Sequence, residues 1–279
     1  MSDILNAIIL GVVQGLTEFL PVSSTGHLVI VERALGVNQD ELGLRFDAAI
    51  HLGTLAAVLV YFRKMVWSIV GAWLLSLRSR RWDVTPDSRL AWLLVIGTIP
   101  AGLIGIAIES TAEDTFREPS LVAAMLLVFC IPMLAAERLS RQNRNVTDAT
   151  PKDALLLGLA QSVALVPGVS RSGITISTAM FAGFRREQAA VFTFLLSAPI
   201  IAAAGSKQLF DVLRGEDGSA SVDNELAVYG AGLITAAVVG YAAIAFLVRY
   251  LRTNTLHLFV AYRVVLGVTV LGLVAAGVL

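Results

Sequence analysis

Charge is what this chain has least of: Asp, Glu, Lys and Arg make up only 15% of the residues, and the two signs cancel at 21 each. No basic excess is present to hold a polyanion, so no nucleic-acid partner is expected. Cysteine occurs once, at Cys130, which excludes an internal disulfide or a cysteine-ligated metal site and reads as a small core residue. The first charge is the acidic Asp3, and the basic region and small-residue cleavage site of a signal peptide are missing. Residues 1–20 are therefore expected to remain in the mature protein.

What is abundant is apolar: 56% of residues are hydrophobic and the mean hydropathy is +0.77. That composition describes an integral membrane protein. Six runs approach the roughly 20 residues needed to cross a bilayer: 46–62, 90–108, 121–136, 189–204, 226–248 and 256–278. Two further segments, 4–36 and 153–184, are apolar but interrupted by Pro, Ser and Gly. Each reads as a re-entrant hairpin of two short helices around a polar tip, because a broken backbone inside a membrane is tolerated only where it lines a site. The two hairpins resemble each other. At a constant offset of 147 residues Gly11 falls on Gly158, Gln14 on Gln161, Ser23 on Ser170 and Gly26 on Gly173. The expected fold is an all-α polytopic membrane protein, six transmembrane helices plus two re-entrant helical hairpins in an inverted-topology repeat. Its single membrane domain divides into a first repeat at 1–145 and a second at 150–279.

Basic residues set the orientation. Arg63, Lys64, Arg78, Arg80, Arg81, Arg138, Arg141, Arg144, Lys152, Arg185, Arg186, Arg249 and Arg252 belong to the cytoplasmic side, and the acid-leaning linkers 109–118 and 206–225 to the outside. Three spans follow each hairpin, so the second half is inverted relative to the first. Segment 66–77 is too short to span and is assigned to the cytoplasmic interface, where Trp67, Trp73 and Trp82 suit the headgroup region.

The polar residues of the tips carry the chemistry. Gln14 and Glu18 lie four apart on one helix face, followed by Pro21, Ser23, Ser24, Thr25, Gly26 and His27. A carboxylate and a histidine at membrane depth are functional candidates by default, although Glu18 can also serve merely to pair an arginine. The second tip brings Ser170, Arg171, Ser172, Gly173 and Thr175 to the start of a helix, an anion cradle suited to phosphate. Arg171 needs an anionic partner there, either Glu18 or a substrate. Glu18 and Gln14 supply oxygens for a hard cation, Mg²⁺ or Ca²⁺, while His27 can move protons. Ser24 or Ser23 can attack phosphorus or hydrogen-bond it. Together these groups describe metal-assisted hydrolysis of a phosphoanhydride. Asp47 and His51, four apart, form either a second proton or cation site or a mutual structural pair. His257 reads as an interface residue, and Glu137 with Arg138 and Arg141 as a solvated helix end.

The motifs EFLPVSSTGH, with Gln14 four residues before Glu18, and PGVSRSGIT resemble those of the bacterial undecaprenyl-pyrophosphate phosphatase family, known also for bacitracin resistance. FDAAIHLGTLAAV at 46–58 extends the resemblance, which covers essentially the whole chain. It implies a divalent-cation-dependent enzyme of the bacterial inner membrane that converts the C55 isoprenyl diphosphate carrier to the monophosphate used in peptidoglycan synthesis. Position by position it selects Gln14, Glu18, Ser24, His27, Ser170, Arg171 and Thr175. Gln14 is an allowed variant of the acidic motif and leaves one carboxylate fewer on that helix. The expected catalytic set is Glu18, His27, Ser24 and Arg171, with Ser23, Thr25, Gly26, Ser170, Ser172, Gly173 and Thr175 binding substrate beside Arg171. The site is expected to open outward. The partners are an isoprenyl diphosphate lipid and membrane lipids, and a homodimer stays open. The alternative from another class is a lipid-phosphate flippase or transporter, which also uses broken helices at the midplane.

Overall fold

The computed structural model describes residues 2–36, 39–115, 118–214 and 222–277, and its secondary structure among these residues is helical, apart from an isolated bridge between Arg144 and Phe184. The first hairpin is α1 (Ser2–Phe19) and α2 (Ser24–Leu35); α3 (Gln39–Tyr61) and α4 (Arg63–Ser79) follow, then α5 (Pro86–Thr115), α6 (Pro119–Val128) and α7 (Cys130–Leu139). The second hairpin is α8 (Pro151–Val163) and α9 (Arg171–Phe181), followed by α10 (Arg186–Arg214), α11 (Val222–Tyr250) and α12 (His257–Ala275).

Five helical stretches among the described residues are long and apolar enough to cross a membrane: 86–107, 119–139, 186–206, 226–250 and 257–275. A sixth candidate is the pair of stretches 49–61 in α3 and 63–79 in α4, which is long and apolar enough only when taken together and is bent by 85° at the break. The bend sets α4, which contains the short apolar segment 66–77, at a steep angle to α3. The helix is longer than the segment read from the sequence, 17 residues, because its basic ends continue the same turn. Trp67 and Trp82 are exposed, whereas Trp73 packs edge-on against Trp92 of α5. Most side chains of the acidic linkers 109–118 and 206–225 lie outside the described residues, as does that of Asp47.

Small residues decide how closely the hairpins approach the long helices. Hairpin helix α1 packs along α11, and its counterpart α8 along α5. The offset-related glycines sit at both contacts: a Cβ on Gly11 would lie 2.6 Å from the Gly232 carbonyl oxygen, and one on Gly158 would lie 2.2 Å from that of Gly97. Neither site has room for a methyl group. Gly158→Ala is therefore expected to cost about 2 kcal/mol through forced separation of α8 and α5. Thermal unfolding in detergent checks this against Gly230→Ala, whose added Cβ meets nothing within 4 Å. An undiminished midpoint for the former would mean that the two helices do not meet there.

On the basic side, charged groups tie the elements together. Arg144 donates to both carboxylate oxygens of Asp153 (3.2 and 2.6 Å), at the start of hairpin two, and to the Ala182 carbonyl (2.6 Å), at its end. Glu137 is not a solvated helix end. Its side chain is 2% exposed, receives the Arg186 guanidinium on both oxygens and accepts the Leu256 backbone N–H at 2.8 Å, just before α12. Burial of this carboxylate is sustained because arginine and a free helix-start amide share its charge. Cys130 is buried, and His257 is exposed beside Thr255.

Candidate active site

Both tips begin with a strained serine. Ser23 (φ 75°, ψ 98°) and Ser170 (φ 73°, ψ 107°) adopt nearly the same left-handed backbone, which side chains other than glycine rarely take. Each hydroxyl then accepts the backbone N–H three residues on, from Gly26 at 3.4 Å and Gly173 at 3.1 Å, and so caps its helix. Strain of this kind costs about 1–3 kcal/mol and persists where surroundings enforce it, characteristically at functional sites. Two copies at the predicted offset show that the sequence resemblance is carried by the backbone. Ser172 joins the tips, donating from Oγ to the Leu20 carbonyl at 2.9 Å.

Glu18 is the meeting point. Its carboxylate is 3% exposed and forms an ion pair with Arg171 across the hairpin interface. It also accepts Gln14 Nε2 at 3.0 Å and Ser24 Oγ at 2.6 Å, and lies 3.7 Å from His51 Nε2. A cavity of about 160 Å³ opens beside this cluster. Of the residues expected from the sequence, Glu18, Ser23, Ser24, Thr25, Ser170 and Arg171 line it. Gln14, Gly26, His27, Ser172, Gly173 and Thr175 stand outside the lining. Thr175 Oγ1 is buried without a hydrogen-bond partner among the described residues.

His27 turns away from the cavity. Its Nδ1 lies 2.7 Å from the Ser23 carbonyl, which can only accept, so that nitrogen carries a proton. Its Nε2 lies 2.7 Å from the Tyr262 hydroxyl, and the two rings stack at 5.6 Å. The ring thereby fixes the first tip to α12. On the next residue, the wholly buried Arg263 donates to the Leu126 (3.1 Å), Met125 (3.3 Å) and Gly168 (2.9 Å) carbonyls. The first two lie in the last turn of α6, just before its break from α7, and the Met125 carbonyl also accepts the Phe129 backbone N–H at 3.1 Å. The third belongs to the second tip.

Three participants were not picked as site residues from the sequence. His51 lines the cavity beside Glu18, where its alternative as a mere partner of Asp47 had equal weight. Gln161 also lines it, with both amide atoms buried and unpartnered among the described residues, and the 147-residue offset had already paired it with Gln14. Arg263 had a signal too, as a lone arginine inside an apolar run.

The arrangement can hold a phosphate group between an arginine, two helix starts and several hydroxyls, with a carboxylate bonded to one of those hydroxyls. Comparison with known proteins bears on what that serves. Rubrobacter xylanophilus has a protein named undecaprenyl-diphosphatase that is 45% identical over 98% of this chain and 99% of its own length. Proteins of the same name from Nocardioides (42%, covering 100% and 99%) and Anaeromyxobacter (46%, covering 99% and 90%) are similarly related. The family described as bacitracin resistance protein BacA matches residues 7–269. With nearly its whole length matched, the polar hairpin tips included, this chain belongs to the bacitracin resistance protein BacA family.

Proposed function

We propose that this chain is a membrane phosphatase that hydrolyses undecaprenyl diphosphate to undecaprenyl phosphate and inorganic phosphate. It thereby recycles the lipid carrier for peptidoglycan synthesis and confers resistance to bacitracin. The observation that carries this reading is the Arg171–Glu18–Ser24 cluster in a polar cavity between the hairpin tips, in a chain whose relatives bear the diphosphatase name.

Without substrate, Glu18 neutralises Arg171. An entering diphosphate takes over the guanidinium fork, assisted by Ser170, the α9 N-terminus and the Gln161 amide, which has no other partner among the described residues. Glu18 is then free to act as the base of Ser24, already hydrogen-bonded to it. As the Ser24 hydroxyl proton passes to Glu18, Oγ bonds to the terminal phosphorus and the bridging P–O bond breaks. Undecaprenyl phosphate leaves with that bridging oxygen. Water then attacks the phosphoserine phosphorus, the Ser24 oxygen leaves with the proton held by Glu18, and inorganic phosphate departs carrying the protons of the water. His27, with both ring nitrogens engaged outside the cavity, holds the Ser23 carbonyl rather than relaying protons.

A divalent cation fits this reading. Gln14 Oε1 is buried without a partner among the described residues, on the amide whose Nε2 donates to Glu18, and Mg²⁺ or Ca²⁺ typically adds substrate phosphate oxygens to one or two carboxylates. Among the described residues no group of three or more His, Cys, Asp or Glu could hold a metal alone, so the substrate would complete the set. A cation bound there would neutralise charge on the diphosphate. All the groups invoked lie in one chain, so a homodimer is not required. The basic side of the molecule favours the bacterial inner membrane with the cavity facing outward, in two inverted repeats, 1–145 and 150–279.

Phosphate release from C55 isoprenyl diphosphate by the purified protein is the test. Release that stops with EDTA and returns with Mg²⁺ or Ca²⁺ is expected. Folded protein that binds the lipid without releasing phosphate would instead support a carrier, which has no use for a base-linked serine.

A further inference from the structure

An apolar pocket of about 340 Å³ lies between α3, α4, α5 and α10. Its lining is almost wholly carbon, in contrast to the catalytic cavity. The two share their walls. On α3, His51 faces the catalytic cavity and Leu55, one turn on, faces the apolar pocket. On α10, Ile200 lines the first while its neighbours Pro199 and Ala202 line the second. On α5, Ala101 lines the first, and Leu94, two turns towards the helix start, lines the second. Along α3 and α5 the step from polar to apolar leads towards the basic end of the helix. Interior prolines occur next to these lining residues, Pro100 before Ala101 and Pro199 before Ile200, and each removes a ladder hydrogen bond from its helix.

We infer that this pocket receives the first isoprene units of the substrate, with the diphosphate held at the hairpin tips and the chain directed towards the basic side of the membrane. The inference rests on the phosphatase reading for the identity of the chain. Proximity to the catalytic cavity selects this occupant over an unrelated lipid: the two linings are successive residues on α10, Pro199 and Ile200, and one turn apart on α3, so a chain attached to a diphosphate on Arg171 has this pocket within reach. The pocket is too small for an entire C55 chain, and the partial exposure of Leu59, Val70 and Val95 leaves it open sideways, so that the remainder passes into the bilayer. Apolar contact here would favour a polyisoprenyl diphosphate over a short or soluble one.

Two measurements test it. Ala198→Trp fills the pocket, and Val238→Trp, on an exposed face of α11, is the comparison. Filling is expected to raise KM for C55 isoprenyl diphosphate about tenfold, the loss of contact with a few carbons, and KM for the five-carbon isopentenyl diphosphate, which brings only one unit to the pocket, by no more than about threefold. Equal losses on both substrates, or no change on either, would overturn the proposal. Independently of activity, a C55 isoprenyl diphosphate with a diazirine in its second isoprene unit should label peptides from α3, α5 or α10, and unlabelled substrate should compete. Labelling confined to α11 or α12, or competition by phosphatidylglycerol equal to that by substrate, would refute the assignment. Absence of hydrolysis by the unaltered protein would remove the phosphatase reading, while the labelling pattern would still decide whether the pocket holds the chain.

Discussion

Arg171→Ala is expected to lower kcat/KM about a thousandfold, and Arg171→Lys about a hundredfold, in the range found for loss of one preorganised donor to a developing anion. Lysine keeps the charge but not the planar fork that serves two phosphate oxygens at once. The alanine variant also leaves Glu18 buried without its cation, a state that destabilises by about 3–5 kcal/mol on its own. Pairing Arg171→Ala with Glu18→Gln separates the two effects. The double variant should recover much of the lost thermal stability, because no buried charge is then stranded, yet regain no phosphate release. Near-normal turnover by Arg171→Lys would remove Arg171 from the site, and recovered activity in the double variant would mean that the pair is structural.

The second large effect is expected from α12. Arg263→Met keeps the volume and removes the donors to three buried carbonyls, at a cost of about 3 kcal/mol or more in the midpoint stability. It also frees the Gly168 carbonyl and with it the second tip. A drop in kcat of about tenfold with little change in KM is expected, because small misplacements of reacting groups are costly to the chemical step. Tyr262→Phe tests the matching hold on the first tip. It retains the stacked ring but loses the hydroxyl on His27 Nε2. If α12 sets the tips, kcat should fall several-fold while the unfolding midpoint hardly moves. Should both variants lose stability alone, α12 is simply a packing element.

Much of the architecture was legible because a bilayer imposes simple rules on sequence. Apolar runs of fixed length give the spans, and a run broken by Pro, Ser and Gly can exist only where its freed backbone groups find partners. The repeat offset was equally readable, since Ser23 and Ser170 must cap corresponding helices. The glycines at 11 and 158 permit corresponding close contacts. These signals are local, or depend on position in the chain alone.

What the sequence determined by itself is therefore the class of fold, the two tips and the residue types gathered there, Glu18, Ser24, Ser170 and Arg171 among them. Tertiary structure alone decided which histidine faces the cavity. His27 and His51 both sit in apolar helices near polar motifs, but α12 arrives more than 200 residues later to take up His27 with Tyr262. It likewise decided that Glu137, by sequence one more charge at a helix end, is buried between Arg186 and the start of α12. The physical reason is common to both. A polar side chain inside a membrane goes where its hydrogen bonds are met, and the groups that meet them here belong to helices far away in the chain.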